Sequence, residues 1–385
     1  MIWQTAEVSW LLKSEEAPTF ELQLNSMRYA VIMAGGIGSR FWPMSTRQHP
    51  KQFIDVLGTG ESMIQATWRR LLPMFNPDHI VVVTHEDYRA LCLEHLPDLK
   101  PENLLCEPSR KNTAPCLAYA AYLLHARDSE SSMVVLAADH LIAKEVAFLE
   151  VLEKGLAFAE KTDALVTLGI QPSRPDTGYG YIQFNRDSES GVEGISKVKT
   201  FTEKPNVELA LSFINSGDFL WNSGNFLWRT SEFIAALERH MPEEAALFQE
   251  ALPALRGPNA QEEIRRIYAM VKNISVDYAI LERAENVFVV SANIGWSDLG
   301  TWGSLREQSL RAGEANALVG NRILALESEG CLVHVPNNKP VVLQGVKDLL
   351  VVESNGVLLI CPVQDEQKIK EVVNVVRENW GDGVL

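Results

Sequence analysis

The sequence predicts an α/β fold with a mixed, mostly parallel sheet covered on both faces, followed by a small β-rich unit. Three observations predict it. Strand-like runs alternate with helical runs from Arg28 to about residue 170. Runs such as HIVVVT and SMVVLAAD are continuously apolar, as parallel strands buried on both faces should be. Past about residue 315 the chain changes to short apolar runs separated by Gly, Asn and Pro.

The elements follow in order. RYAVIMA (28–34) reads as a buried strand that runs into a glycine-rich loop. SMIQATWRRLLPMF is helical, with Ile64, Trp68, Leu71 and Leu72 on one face. Strand HIVVVT, helix EDYRALCLEHL and strand NLLCEP come next. TAPCLAYAAYLLHA is an apolar helix with Thr113 as its expected N-cap and Pro115 in its first turn. SMVVLAADH is a strand that ends on Asp139, VAFLEVLEKGLAFAE a helix and ALVTLGI a strand. TGYGYIQF and VKTFTEKP look extended, and NVELALSFINSG is a helix stopped by Gly217. After WNSGNFLWR, helices run to about residue 285. RILALES, CLVHVP, PVVLQG, LLVVES and GVLLICP form the β-rich unit, and a terminal amphipathic helix has Ile369, Val372, Val373 and Val376 at helical spacing. These shifts predict a tail over 1–27 without fixed structure, a large unit over 28–310 and a small one over 311–385.

Composition narrows the function classes. The formal net charge of −15 disfavours general nucleic-acid binding, so any phosphate site must be a local arrangement. No stretch is long and apolar enough to span a membrane. The five cysteines are widely spaced, with no C-x-x-C pair, which points to free thiols in a reducing cytoplasm rather than disulfides or zinc. The first 27 residues lack a signal-peptide pattern.

The glycine loop is the informative stretch: MAGGIGSRFWPMSTRQHPKQF, residues 33–53. It lacks the Gly-Lys-Ser/Thr of a Walker loop. It also lacks the third glycine of a dinucleotide fingerprint, where Phe41 stands, which disfavours a dehydrogenase. Trp42-Pro43 argues against a helix starting at once. Glycines alone read equally as a tight turn. Arg40 and Lys51 favour a polyphosphate site, because glycines expose backbone N–H groups and the two cations oppose developing charge. The loop also follows the first strand, where open α/β sheets bind ligands.

At these residues the chain resembles the sugar-1-phosphate nucleotidylyltransferases, whose loop reads G-G-x-G-x-R-[LF]-W-P-[LM]-S-x(4)-P-K. Trp-Pro and Lys-Gln-Phe are similar to the GDP-mannose pyrophosphorylase (mannose-1-phosphate guanylyltransferase) branch. EPSRKNTAP (107–115), Asp139-His140, TGYGYI (177–182), FTEKP (201–205), WNSGNFLW (221–228), SVDYAILE (275–282) and GWSDLGTW (295–302) follow in the family's order. The resemblance covers roughly residues 28 to 385 and implies a Rossmann-like nucleotide-diphospho-sugar transferase fold with a β-helix-like C-terminal domain.

The implied reaction joins mannose 1-phosphate and GTP to give GDP-mannose and pyrophosphate. The resemblance assigns Arg40, Lys51 and Lys204 to catalysis, and Ala34, Gly35, Gly36, Gly38, Ser39, Glu107, Asn112 and Thr113 to the nucleotide. Gly178, Tyr179, Gly180, Glu203, Asn222, Asn225 and Asp277 would face the sugar. Asp139 and Asp298 would hold a divalent cation, Mg2+ or Mn2+. Glu107 would accept from guanine N1–H and N2–H2. Each residue has a plainer reading beside this one: a turn or cap for Asp139, Asp277 and the asparagines, a loop carboxylate for Asp298, a surface charge pair for Glu203-Lys204, a hairpin turn for Gly178–Gly180. Arg110-Lys111-Asn112 departs from the Arg-Asn of the family pattern. His140 is expected to pack rather than to bind metal. The alternatives are a nucleotidylyltransferase for another sugar phosphate or NTP, and a catalytically silent regulatory homologue. The tail lacks the clustered His/Glu ligands of the isomerase domain that follows in longer relatives, so a single activity is expected, in a cytoplasmic homodimer.

Overall fold

A computed structural model describes residues 27–186, 190–310 and 313–385. The expected tail therefore lies, Met27 apart, outside the described residues, and the expected boundary near 310 adjoins two more that do.

The strands are β1 (Arg28–Met33), β2 (Ile80–His85), β3 (Leu104–Glu107), β4 (Ser132–Ala137), β5 (Leu141–Ile142), β6 (Leu165–Ile170), β7 (Gly180–Phe184), β8 (Ile195–Glu203), β9 (Phe219–Arg229), β10 (Val287–Ala292) and β11 (Trp296–Ser297). All but β5 and β11 form one sheet, in the order β3-β2-β1-β4-β9-β6-β10-β8-β7. β1, β2, β3 and β4 pair in parallel, and β10 pairs in parallel with β6. β9 is antiparallel to β4, β6 and β7, and β8 to β7 and β10. The sheet is mixed, with its parallel character concentrated in the amino-terminal half.

The continuous apolar runs are explained by burial on both faces. Ala30, Ile32, Val82, Val134 and Leu136 face one core, and Tyr29, Val31, Val81, Val83, Met133 and Val135 face the other. The helix Thr113–Arg127 lies in the second core, with every residue from Ala114 to Leu124 buried. Its N-cap is Asn112 rather than Thr113: the Asn112 side chain accepts from Thr113 N, and Thr113 is already helical. The helix Met63–Leu71 buries Ile64, Trp68 and Leu71 as its periodicity predicts, but stops before Leu72, which is 41% exposed.

The carboxyl-terminal part is a short stack of strands: β12 (Ala317–Val319), β13 (Ile323–Leu326), β14 (Leu332–His334), β15 (Val341–Gln344), β16 (Leu349–Ser354) and β17 (Val357–Pro362). β12, β14 and β16 pair in parallel, as do β13 and β15, and β17 closes the stack antiparallel to β16. A helix, Ile369–Trp380, follows; Ile369 and Val376 are buried, whereas Val372 turns outward. This part shares an apolar cluster with the sequence motifs: Phe41, Trp42, Leu299 and Trp302 pack with Leu332, Leu350, Ile369 and Leu385. Trp42 Nε1 also donates to Val384 O at 2.9 Å. Among the described residues no helix is long and apolar enough to cross a membrane.

Trp302 is 1% exposed at the centre of that cluster. Trp302→Ala is expected to lower unfolding stability by about 3–5 kcal/mol in urea titrations.

Candidate active site

The site begins where β1 ends. Gly38 has φ 68°, and a Cβ there would meet Lys51 Cβ at 2.5 Å, so both conformation and space demand glycine. A single 3-10 turn, Ser39–Phe41, follows, and the Trp42–Pro43 peptide is cis. The loop's carbonyls are taken up by the protein. Gln52 Nε2 donates to Ala34 O (2.8 Å) and Gly36 O (2.9 Å), Arg110 Nε to Gly35 O (3.2 Å), and Ser45 Oγ to Gly38 O. Its amides are not: among the described residues no N–H from Gly35 through Arg40 finds a backbone acceptor. A run of free donors with its acceptors turned away is an anion cradle. Gly36 sharpens the point, since a Cβ there would meet nothing within 4 Å. The protein leaves that space open.

Two aspartates close the other side. β5 and β11 form a two-residue antiparallel ladder, with Leu141 opposite Ser297 and Ile142 opposite Trp296. Asp139 lies just before β5 and Asp298 just after β11, so this ladder brings them together across the chain. Lys51 fixes them. Its Nζ donates to Asp139 Oδ2 (3.0 Å), Asp139 O (3.0 Å) and Asp298 O (2.7 Å), and the residue is 2% exposed. Burial pushes the Asp139 carboxyl up, but the Lys51 charge, the neighbouring His140 and the Lys51 hydrogen bond together outweigh it and hold the group below the usual carboxylate range. Asp298 Oδ1 accepts from Tyr179 Oη (2.8 Å) and Gly300 N (2.9 Å). His140 accepts from the Trp296 indole at 3.2 Å, in keeping with a packing role.

These residues line one cavity of about 260 Å3, with Gly38, Ser39, Arg40, Lys51, Asp139, Asp298 and Lys370 in its wall. The carboxylates suit an oxygen-seeking divalent ion such as Mg2+, which takes one or two carboxylates and fills its remaining positions with water or substrate oxygens. Arg40 Nε is buried and has no hydrogen-bond partner among the described residues.

On the base side, Glu107 ends β3 and is 5% exposed. It accepts from Tyr268 Oη at 2.8 Å, and a Cβ on Gly35 would lie 3.2 Å from its Oε2. Burial raises its pKa to about 7, against the Tyr268 hydrogen bond and the Arg110 charge. Thr113 Oγ1 accepts from Val276 N at 2.8 Å, tying this segment to the turn that carries Asp277.

On the opposite side, Gly180 pairs with Glu203 across β7 and β8, and Asn222 Nδ2 donates to Asp277 Oδ1 at 2.7 Å. Burial pushes the Asp277 pKa up. Lys204 pairs with Glu203, and its backbone N donates to Tyr179 O at 3.2 Å. Gly178 N is held by Asp176 Oδ1 at 2.8 Å. Asn225 does not join this group. It is 2% exposed, and its amide bonds Ser223 Oγ at 3.0 Å on the strand face opposite Asn222.

Sequence reasoning missed several contributors. Gln52 was visible only as part of a motif, and Arg110 only as a departure from one. The Tyr179 hydroxyl, Tyr268 and Lys370 left no local signal, because each is brought to the site by segments distant in sequence.

Comparison with known proteins adds the following. Residues 29–314 match the Nucleotidyl transferase family, and residues 321–375 the MannoseP isomerase/GMP-like beta-helix domain. A mannose-1-phosphate guanylyltransferase of Escherichia coli K12 is 37% identical over 91% of the chain and 74% of its own length. Mannose-1-phosphate guanylyltransferase ManC of Salmonella typhimurium is 35% identical over 91% and 73%. A solved structure from Thermus thermophilus, described as a mannose-1-phosphate geranyltransferase, superposes with a TM-score of 0.80 at 31% identity, over 91% of the chain and 99% of its own.

Because Glu107 has a folded pKa of about 7 against an ordinary 4.5, the folded protein holds an extra proton between those values. Stability is then greatest below this window and falls as pH rises through it. Glu107→Gln removes the effect. Its stability relative to the parent should rise by about 3 kcal/mol between roughly pH 4.5 and 8, as read by urea titration at each pH.

Proposed function

The chain belongs to the nucleotidyl transferase family, alongside the mannose-1-phosphate guanylyltransferases, and from that premise we propose that it transfers GMP from GTP to mannose 1-phosphate, giving GDP-mannose and pyrophosphate. The observation that carries the reading is that the Gly38–Arg40 end of the donor-rich loop faces Asp139 and Asp298 across one cavity. The nucleotide, sugar and metal residues named from the sequence all lie in the unit over residues 28–310, and residues 311–385 form a second, smaller unit that adds Lys370 to the cavity wall.

The attacking atom is an oxygen of the sugar phosphate, already anionic near neutral pH, so no general base is required. Catalysis rests on alignment and on neutralising charge at the α-phosphorus. The amides of Gly35, Gly36, Gly38 and Ser39 receive the triphosphate, with the Ala34 carbonyl held back by Gln52. Arg40, unpaired at Nε within the described residues, opposes the charge that builds on the departing pyrophosphate. Lys51 acts chiefly by holding Asp139 and Asp298 in place. Those two carboxylates would hold Mg2+ or Mn2+, which when bound supplies Lewis-acid neutralisation of phosphate charge.

Glu107 reads the guanine edge, with Asn112 and Thr113 supporting it at the helix start. Glu203, Asn222 and Asp277 offer acceptors and donors to mannose hydroxyls, with Gly178, Tyr179 and Gly180 forming the wall. Lys204, 60% exposed and paired only with Glu203 among the described residues, is free to swing to the sugar phosphate. Free buried thiols at Cys92, Cys106, Cys116 and Cys331 support a cytoplasmic setting. Leu324, Val342, Leu358 and Ile360 are exposed on the β-rich unit and support a homodimer; sedimentation at the 42.9 kDa monomer mass would exclude it.

A panel of NTPs and sugar 1-phosphates, read by pyrophosphate release, tests the assignment. GTP with mannose 1-phosphate should give the highest kcat/KM, and a better pair would overturn it. Arg40→Ala should lower kcat roughly 10²–10³-fold without changing the melting temperature. Asp298→Ala should abolish metal-dependent turnover; an unaltered rate would refute the metal assignment.

A further inference from the structure

The carboxyl-terminal part reaches the phosphate cavity. The segment Val363–Lys368 packs against the helix Trp302–Ser309, and the helix Ile369–Trp380 against the turn Ser39–Phe41. Glu366 Oε2 accepts from Gly303 N, just beyond the Asp298 loop, and Ile369 packs in the cluster that holds Phe41 and Trp42. Close to these two anchors stands Lys370, in the wall of the cavity that contains Arg40, Asp139 and Asp298. Lys370 also lines a neighbouring cavity of about 340 Å3, together with Ser39, Arg47 and Arg377. Arg47 continues the cationic lining outward from Arg40, whereas Arg377 is paired with Asp382 at 3.0 Å.

Neither Arg40 nor Lys370 has a side-chain ion-pair partner among the described residues. Lys51, by contrast, spends its donors on Asp139 and Asp298. Arg40 and Lys370 stand in the wall of one cavity, and the Arg40 charge, followed by burial, pushes the Lys370 ammonium down, although the Glu366 carboxylate lies near enough to Arg40 to feel its charge. Such an arrangement is unfavourable without a ligand and is relieved by a polyanion shared between them.

We propose that Lys370, carried by the carboxyl-terminal helix, is a catalytic residue that contacts the β- and γ-phosphates of the bound nucleotide and holds the leaving pyrophosphate opposite Arg40. In the forward direction an oxygen of the sugar phosphate forms a bond to the α-phosphorus as the bond from that phosphorus to the α,β-bridging oxygen breaks, and the broken bond's electron pair leaves with pyrophosphate. Lys370 neutralises part of that charge, and no proton need be exchanged. The inference rests on the nucleotidyl-transfer reading, but not on the identity of the base or sugar.

The test is the reverse reaction, pyrophosphate with GDP-mannose, in the full chain with Mg2+. Lys370 is exposed, so Lys370→Ala should melt with the parent. Its KM for pyrophosphate should rise at least about tenfold, its KM for GDP-mannose should stay within about twofold of the parent, and Lys370→Arg should recover most of the loss. Calorimetric affinity for pyrophosphate should fall in parallel. An unchanged KM for pyrophosphate overturns the proposal, as does an equal rise in both KM values, which would mark a merely structural role. If the parent prefers another nucleotide sugar, the same comparison runs with that substrate, so failure of the guanylyltransferase assignment is separable from failure of the Lys370 assignment.

Discussion

A buried ammonium organises this protein. Lys51 is removed from solvent, and such a charge is tolerable only when its hydrogens are satisfied. Three acceptors do so, two on Asp139 and one on Asp298. The consequences spread outward. The glycine loop must lie close over the Lys51 stem, which is why Gly38 has no room for a side chain. The end of β4 and the loop after β11 must come together, which the ladder between β5 and β11 enforces. Removing one partner of so buried a charge typically costs about 3–5 kcal/mol, so site geometry and fold stability are coupled through a single side chain.

Around that centre the polar groups divide by task. Gln52, Arg110 and Ser45 bind the loop's carbonyls and so leave its amides for a ligand. Tyr179 and Gly300 orient one oxygen of Asp298. Tyr268 holds Glu107, and Asn222 is engaged with Asp277. Asp298, Glu107 and Asp277 are thus each positioned by a neighbour fixed in the fold, whereas Arg40, Lys204 and Lys370 are left for a ligand. That is the form preorganisation takes when catalysis depends on aligned charge rather than on proton transfer.

Much of this was legible in the sequence. The parallel half of the sheet announced itself because β1, β2 and β4 are buried on both faces and cannot alternate in polarity. The cradle residues Gly35, Gly36, Gly38 and Arg40 were legible because their requirement is local. What escaped depends on distance or on strand phase. Lys51 reads as a mobile cation until its partners, 88 and 247 residues away, are seen. Asn225 looks like a neighbour of Asn222, yet an odd separation on β9 puts it on the other face. Thr113 gave up its capping role because Asn112, in the left-handed region at φ 66°, could turn its side chain onto the first helical amide. Lys370 carried no signal at all, since only the docking of the carboxyl-terminal helix brings it to the loop.

The hydrogen bond from Trp42 to Val384 spans 342 residues. During synthesis the aromatic pair that shapes the glycine loop therefore emerges long before the carbonyl that fastens it. At translation speeds of about 5–20 residues per second, roughly twenty seconds to a minute separates the two. Through that interval Phe41 and Trp42 lack part of their apolar cover, because Trp302 and the carboxyl-terminal residues that pack with them are still to be made. The Val384 segment thus acts as a clasp that closes late over the aromatic residues of the glycine loop.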